Sequence, residues 1–357
     1  MQNPFTTTFS KIPDQSYIVT DQTAEIIENF SYNSPSESVY KITGVRGSGK
    51  TVLLAKIEEE LLNDEHRNDG WLVYRLAPTR DMLKQLASFL SKEGYIKERS
   101  KSKSVNVSAN ILGTGGGIGL SKTENEDFND IGVELDGMLK KSTEKGKKIL
   151  VGIDEVSKTE YMIEFAAEFG KWLRAGYSIY MVCTGLYENI EQVYNVKNLT
   201  FFRRATTIKT EPLNYVRMTE MYKRRLGIDA NMAKQLAGLT KGYPYAFQKL
   251  GILYFSKGKK YSLDDLTEDL KSELFSYSYE KIWEELSNED RALISLLTDK
   301  DEYKREEILK IMEKPDNYSA YRDRLLKRGL ITARQGYISL ALPFFGDYVK
   351  EYTISVN

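Results

Sequence analysis

A single cysteine, Cys183, and a single histidine, His66, remove much of the catalytic repertoire before any motif is read. One cysteine cannot form an internal disulfide or a multi-cysteine zinc site. One histidine leaves an imidazole-based metal centre without a second ligand. His66 sits in the polar stretch Asn63-Asp64-Glu65-His66-Arg67-Asn68-Asp69 with no nucleophile motif nearby, which argues against a hydrolytic triad. Net charge is missing too. The 51 basic residues balance 51 acidic ones, so the chain does not coat nucleic acid by bulk charge, although a local basic face is compatible with that balance. No apolar run approaches the roughly 20 residues that a membrane span requires. The start, Met1-Gln2-Asn3-Pro4-Phe5, has no basic segment followed by an apolar one. These absences predict a cytoplasmic protein without a membrane segment. What remains is a chain of 357 residues, 41% hydrophobic, enough for two or three domains with real cores.

The most informative stretch is Gly44-Val45-Arg46-Gly47-Ser48-Gly49-Lys50-Thr51. Two glycines separated by four residues, followed by Lys and Thr, form the phosphate-binding loop pattern. Its context fits. Ser38-Val39-Tyr40-Lys41-Ile42-Thr43 reads as a strand, and Val52 onward reads as the opening of a helix. A strand that breaks into a glycine loop and then a helix aims several backbone N–H groups at one point, where the helix dipole also favours an anion. Val45, Arg46, Ser48 and Val52 would contribute through the backbone, and Gly44, Gly47 and Gly49 through close approach. Lys50 would reach the β- and γ-phosphates, and the Thr51 hydroxyl would sit on Mg²⁺.

From Val39 onward strands and helices alternate. Trp71–Leu76, Lys148–Ile153, Ser178–Thr184 and Ala205–Thr210 read as further strands, and helices fall at 81–90 and after Asp154. The alternation predicts an α/β core with a parallel sheet covered on both faces. Residues 98–124 interrupt it with an alternating segment, a Gly113-Thr114-Gly115-Gly116-Gly117 turn and a second short segment, read as a hairpin insertion. From 213 to 283 only helices are predicted. From 284 to 357, three helices followed by a ribbon turning at Arg334-Gln335-Gly336 give the winged-helix pattern. The expected organisation is a leading segment (1–37), a phosphate-loop core (38–212), a helical lid (213–283) and a winged helix (284–357).

Lys148-Ile149-Leu150-Val151-Gly152-Ile153 ends in Asp154-Glu155. A carboxylate there can hold Mg²⁺, and a second one residue later can polarise a water as general base. Asp154 is therefore the expected metal partner of Thr51, and Glu155 the expected catalytic base. Thr184, at the end of the neighbouring strand, would help place that water. Arg203 and Arg204 precede the last strand, where an arginine of a neighbouring copy could stabilise a transferring phosphoryl group. The alternative for both is a surface arginine. No N-K-x-D guanine-reading motif occurs, which favours adenine.

Together these stretches resemble the AAA+ and STAND group of P-loop ATPases, and especially archaeal-type and initiator-like (origin-recognition-like) ATPases with C-terminal winged helices. Gly44 to Thr51, Ile149 to Glu155, Arg204 through Thr207-Ile208-Lys209-Thr210-Glu211-Pro212-Leu213, and Gly242-Tyr243-Pro244 carry the likeness. The resemblance implies an ATP-driven conformational switch with a nucleotide-sensing lid. This chain departs from the initiator-like pattern in two places. No arginine stands in the lid stretch Gly242-Tyr243-Pro244-Tyr245-Ala246-Phe247-Gln248, and Val19-Thr20-Asp21 replaces the usual arginine after Tyr17-Ile18, the expected adenine contact. The resemblance further suggests DNA, a protein or a second copy of the chain as partner. Arg322, Arg324, Lys327 and Arg328 on the third helix of the C-terminal unit, with Arg334 at the wing tip, would meet phosphates or base edges. Against a DNA role, residues 257 to 357 hold 17 basic and 20 acidic side chains. A regulatory nucleotide binder with little turnover and no DNA contact is the competing reading.

Overall fold

The computed structural model describes residues 2–8, 10–63, 70–95, 130–197, 199–258 and 260–356. His66 and the hairpin expected at 98–124 lie outside them. The chain begins with helix α1 (Asp21–Ser31), then strand β1 (Val39–Thr43), helix α2 (Lys50–Leu62) and strand β2 (Trp71–Leu76). Helices α3 (Met82–Lys92) and α4 (Ile131–Glu144) lead to β3 (Lys148–Ile153), α5 (Glu160–Arg174) and β4 (Ile179–Gly185). Helix α6 (Tyr187–Tyr194) and the short α7 (Thr200–Arg204) precede β5 (Thr206–Lys209). These five strands form one parallel sheet in the order β2-β3-β4-β1-β5.

Strand pleating divides the core into two faces. Ile149, Val151 and Ile153 of β3 point to the face covered by α3, α4 and α5. Leu150 of β3 and Tyr40 and Ile42 of β1 point to the face covered by α1 and α2, where Phe30 and Ile57 are fully buried. Such strands are buried on both faces, which explains their near-continuous apolar runs. Local signals set the helix starts. Asp81 accepts from Lys84 N to cap α3, and Thr159 accepts from Met162 N to cap α5.

Beyond the sheet, α8 (Tyr215–Leu226), α9 (Ala230–Leu239), α10 (Pro244–Lys257) and α11 (Leu263–Leu274) form a helical unit, continued by a π-helical turn at Phe275–Tyr279 and by α12 (Glu280–Glu284). The C-terminal unit comprises α13 (Asn288–Ser295), β6 (Tyr303–Lys304), α14 (Arg305–Ile311), α15 (Tyr318–Arg328), β7 (Ile331–Arg334), β8 (Tyr337–Leu340) and α16 (Phe345–Val356). The expected ribbon is β7 and β8, and the two-residue β6 adds a third antiparallel strand on its far side. Neither β6 nor α16 was predicted.

Two packing features differ from the sequence reading. The helical and C-terminal units share one hydrophobic cluster running from Met218 to Val349. Phe5 and Ile18 of the N-terminal segment also belong to this cluster, whereas Ile26 and Phe30 of α1 pack in the sheet core. Phe5 is 3% exposed and packs on the rings of Tyr222 and Phe247 and against Gly251, where a side chain would clash. Gln248 reinforces that anchor, its carbonyl accepting from Thr6 N at 3.1 Å and Ser16 Oγ at 3.0 Å.

Candidate functional site

The glycine loop leaves the C-terminal end of β1 and turns into α2. Gly47 and Gly49 hold φ of +76° and +85°, the left-handed region that glycine enters without penalty. Gly49 is also the residue that precedes α2, so the first turn of the helix opens directly onto the loop. A Cβ on Gly44 would stand 2.6 Å from Ser48 Oγ and closer still to Thr210 Oγ1. Thr210 in turn donates to Ser48 Oγ at 2.8 Å, so the segment after β5 braces the loop from one side.

Lys50 donates to the carbonyls of Gly44 and Val45, both at 2.9 Å. Burial pulls its ammonium down to about 8, against the opposing pull of the Asp154 carboxylate. Thr51 Oγ1 donates to Asp154 Oδ1 at 3.1 Å, across 103 residues of chain. Thr184 Oγ1, fully buried, donates to the same oxygen. Strand order explains the convergence: β4 lies between β1 and β3, so its terminal Thr184 stands between the loop and the acidic pair. Glu155 N points at Asp154 Oδ1 (3.2 Å) and Thr184 Oγ1 (3.3 Å), and the residue holds φ +54°. A non-glycine residue in that region costs on the order of 1 kcal/mol or more, and here it leaves the Glu155 side chain exposed at the strand end.

Of these groups, Lys50, Thr51 and Glu155 border a cavity of about 630 Å³, lined also by Tyr17, Ile18 and Tyr245. Its far wall is the helical unit. Leu213 N donates to Gly242 O at 2.8 Å, so the Glu-Pro-Leu and Gly-Tyr-Pro stretches meet in space. Gly242, at φ +77°, has no room for a Cβ against Pro212 and Leu213. The turn presents the start of α10 to the glycine loop. Tyr243 Oη donates to Arg46 O at 2.6 Å, and Tyr245 N donates to Gly47 O at 3.2 Å. Arg46 reaches further, pairing with Glu285 at 3.0 Å. Sequence reasoning did not assign Tyr243, Thr210, Gln248 or Arg46's partner Glu285 to the site. The Gly-Tyr-Pro stretch was the available signal, because a glycine before Pro marks a forced turn.

The remaining expected residues are placed as follows. Arg203 and Arg204 are exposed at the N-terminal end of β5, whereas the loop leaves the C-terminal end of the adjacent parallel β1. They therefore do not join the loop of their own chain. Buried Lys41 anchors their short helix, donating to Phe202 O at 2.7 Å. Burial pushes the Cys183 thiol up to about 12, which removes thiolate chemistry. On α15, Arg324 grips the buried Asp290 through three bonds of 2.7–3.0 Å. Arg328 pairs with Glu188 of α6 at 2.7 Å, and Lys327 pairs with Asp323 at 2.8 Å while standing over the Tyr187 ring. Lys209 donates to Leu326 O. Arg328 and Lys327 of α15 thus reach α6 of the sheet unit, while Arg324 is held within the C-terminal unit. Arg322 and Arg334 alone of that basic set have no ion pair among the described residues.

In sequence, one family matches the chain, described as a domain of unknown function (DUF8462), over residues 276–349. No curated protein matches it. In structure, the chain is similar to the Walker-type ATPase PABY2304 of Pyrococcus abyssi, with 14% identity, a TM-score of 0.61, and 92% of this chain and 95% of that chain covered. It is also similar to the Aeropyrum pernix ORC2 protein, solved as ADPNP-ADP complexes, with 11% identity, a TM-score of 0.52 and 94% of each chain covered. The chain has the α/β P-loop fold of these archaeal initiator-like and Walker-type ATPases. That agrees with the parallel sheet and glycine loop already described. Among the described residues, no helix is long and apolar enough to cross a membrane.

The geometry also fits a nucleotide and its metal. No cluster of three or more His, Cys, Asp or Glu capable of holding a metal occurs among the described residues. A divalent ion would instead rest on Thr51, Asp154 and the nucleotide's own oxygens, a donor set suited to Mg²⁺. The loop residues Arg46 to Thr51 line the cavity beside them, and among the described residues the Lys50 ammonium donates to two loop carbonyls, Gly44 O and Val45 O.

Proposed function

We propose that the chain binds ATP with Mg²⁺ and hydrolyses it to drive a conformational switch. The observation that carries this reading is the meeting of Thr51, Asp154 and Thr184 from three separate elements beside the glycine loop and its cavity. Lys50 would neutralise the β- and γ-phosphates, with its low ammonium pKa restored by their charge. Bound Mg²⁺ would supply charge neutralisation on the phosphates, held through Thr51 and Asp154. Glu155 would orient and deprotonate the attacking water, and Thr184 would fix the carboxylate geometry around it. Tyr17 and Ile18 border the cavity where the base would lie.

The switch in this reading is the hold of α10 on the loop. Tyr243, Tyr245 and the Arg46–Glu285 pair tie the helical unit to the loop backbone. Phosphate occupancy would alter that hold and, through Glu285 and Arg328, the seating of the C-terminal unit on α6. We read that unit, residues 284–357, as a winged helix that delivers the output to a protein or DNA, with 213–283 as lid and 38–212 as core. Arg204 would act only across an interface with a second copy of the chain. The setting we infer is the cytoplasm, where ATP is available.

The test is Glu155→Gln. A hydrolase loses turnover by about 100-fold or more, while ATP remains bound and detectable by filter retention. If the wild-type chain binds ATP with Mg²⁺ but shows no turnover for Glu155→Gln to remove, the chain is a static nucleotide binder. If it binds no ATP, the reading fails entirely.

A further inference from the structure

The zero net charge of the chain conceals a strong local imbalance. Residues 213–257 contain eight basic side chains, Arg217, Lys223, Arg224, Arg225, Lys234, Lys241, Lys249 and Lys257, and only two acidic ones, Glu220 and Asp229. Lys249 and Lys257 are neutralised by Glu273 and Asp269 of α11. The other six lie on the α8–α9 hairpin and its exit, and none has a carboxylate within ion-pair distance among the described residues. Arg217 and Arg225 are partly used, donating to the carbonyls of Val19 and Gln15 at 2.5 and 2.6 Å. Lys223, Arg224, Lys234 and Lys241 are exposed.

The hairpin presents these charges together. Met218, Met221 and Tyr222 of α8 and Ala233, Leu236 and Ala237 of α9 face the core; Arg217, Lys223, Arg224 and Lys234 are exposed, Arg225 flanks the buried side, and Glu220 is the one exposed carboxylate of α8 among them. Arg217 and Arg224 are seven residues apart, on one helix face and about 10 Å apart along its axis. Tyr215 Oη donates to Lys234 O at 3.0 Å, which sets Lys234 beside the start of α8. Tyr215 and Val216 are themselves exposed there, 47% and 61%. By contrast, the basic residues of α15 are mostly spent on Asp290, Glu188 and Asp323 within the chain.

We infer that the outer face of the α8–α9 hairpin is a binding surface for duplex DNA, recognised through its phosphate backbone without sequence preference. Duplex DNA carries one charge per roughly 1.7 Å of axis, the charge density that a surface of closely set, unpaired cations fits. An anionic membrane is the less suitable partner. The exposed apolar side chains beside these cations are few, Tyr215, Val216 and Val19, too few for an insertion face. The proposal does not depend on ATP turnover.

The probe is a 30-base-pair mixed-sequence duplex titrated with the full chain, read by fluorescence anisotropy at several salt concentrations. Four phosphate contacts predict a log–log salt slope of about −3.6, so affinity falls roughly 100-fold between 50 and 200 mM salt. The triple reversal Lys223→Glu, Arg224→Glu, Lys234→Glu should abolish binding. The neutral triple Lys223→Ala, Arg224→Ala, Lys234→Ala should retain weaker binding with a slope shallower by about 3. Both triples should keep the wild-type melting temperature. Arg322→Glu with Arg334→Glu should stay within about twofold of wild type. The inference is overturned if the wild-type chain does not bind the duplex at 50 mM salt, if the triple variants bind as wild type does, or if the Arg322/Arg334 variant loses binding equally. It is also overturned if phosphatidylserine vesicles, and not the duplex, are bound.

Discussion

Gly47→Ala tests whether the helical unit is clamped on the glycine loop. The added Cβ would stand 2.8 Å from Tyr243 Cζ and nearer still to its hydroxyl. The ring cannot slide aside cheaply. Tyr243 is 4% exposed, its hydroxyl donates to Arg46 O at 2.6 Å, and Ser278 Oγ lies at 2.9 Å. Two costs therefore add. An alanine held at φ near +76° costs about 1–2 kcal/mol. Displacing the hydroxyl leaves buried partners unsatisfied, about 1–3 kcal/mol more. The expected loss is about 3–4 kcal/mol. Tyr243→Leu removes the obstacle, at a price of its own. In that background Gly47→Ala should cost only the backbone part, leaving a coupling of about 2 kcal/mol between the two sites. Urea unfolding of the four proteins measures the cycle, and hydrogen exchange at residues 242–248 reports whether the helical unit lifts. Additivity within about 0.5 kcal/mol, or unchanged exchange, would refute the clamp.

Three further outcomes are expected. Lys50 titrates at about 8 in the ligand-free chain, below its ordinary 10.5. If only the ammonium form receives phosphate, ATP affinity is level below pH 8 and falls about tenfold per unit above it. The same depression makes ligand-free stability rise with pH between 8 and 10.5, since the unfolded chain holds the proton more tightly there. Calorimetric titration from pH 7 to 9.5 checks the first, and a level affinity across that range would disprove it. Arg324→Ala leaves Asp290, 1% exposed, with Arg328 at 3.6 Å as its one remaining cation among the described residues. It should cost about 2–4 kcal/mol, and pairing Arg324→Met with Asp290→Leu should recover most of that. A loss under about 0.5 kcal/mol in thermal unfolding would show the pair to be ordinary surface charge.

Local patterns made the sheet unit legible. A glycine loop needs left-handed backbone, and the residues that permit it are visible in sequence, as Gly47 and Gly49 bear out. Apolar runs at 148–153 and 178–184 mark strands buried on both faces, and both runs are strands of the sheet. The shared core of the helical and C-terminal units was not legible. An amphipathic helix announces that one face is buried, and does not name the surface that covers it. The fate of α15 shows the consequence. Its arginines and lysine read as a nucleic-acid face, yet Asp290, 34 residues earlier, and Glu188, 140 residues earlier, receive Arg324 and Arg328. Phe5 is the same case from the other end of the chain, a lone aromatic in a polar segment whose partners begin 217 residues later at Tyr222.

By itself the sequence determined the local geometry of one loop: which backbone turns left-handed before a helix, which lysine opens that helix, and which strand ends in a carboxylate pair. Those features depend on neighbours a few residues away, where φ preferences and side-chain spacing act directly. Only the tertiary structure decided that Thr184 joins Asp154, that Tyr243 covers Gly47, and that α8 and α9 carry more exposed, unpaired positive charge than α15 among the described residues. Each depends on strand order and on burial between distant segments, and a buried charge selects its partner from whatever the packing brings near.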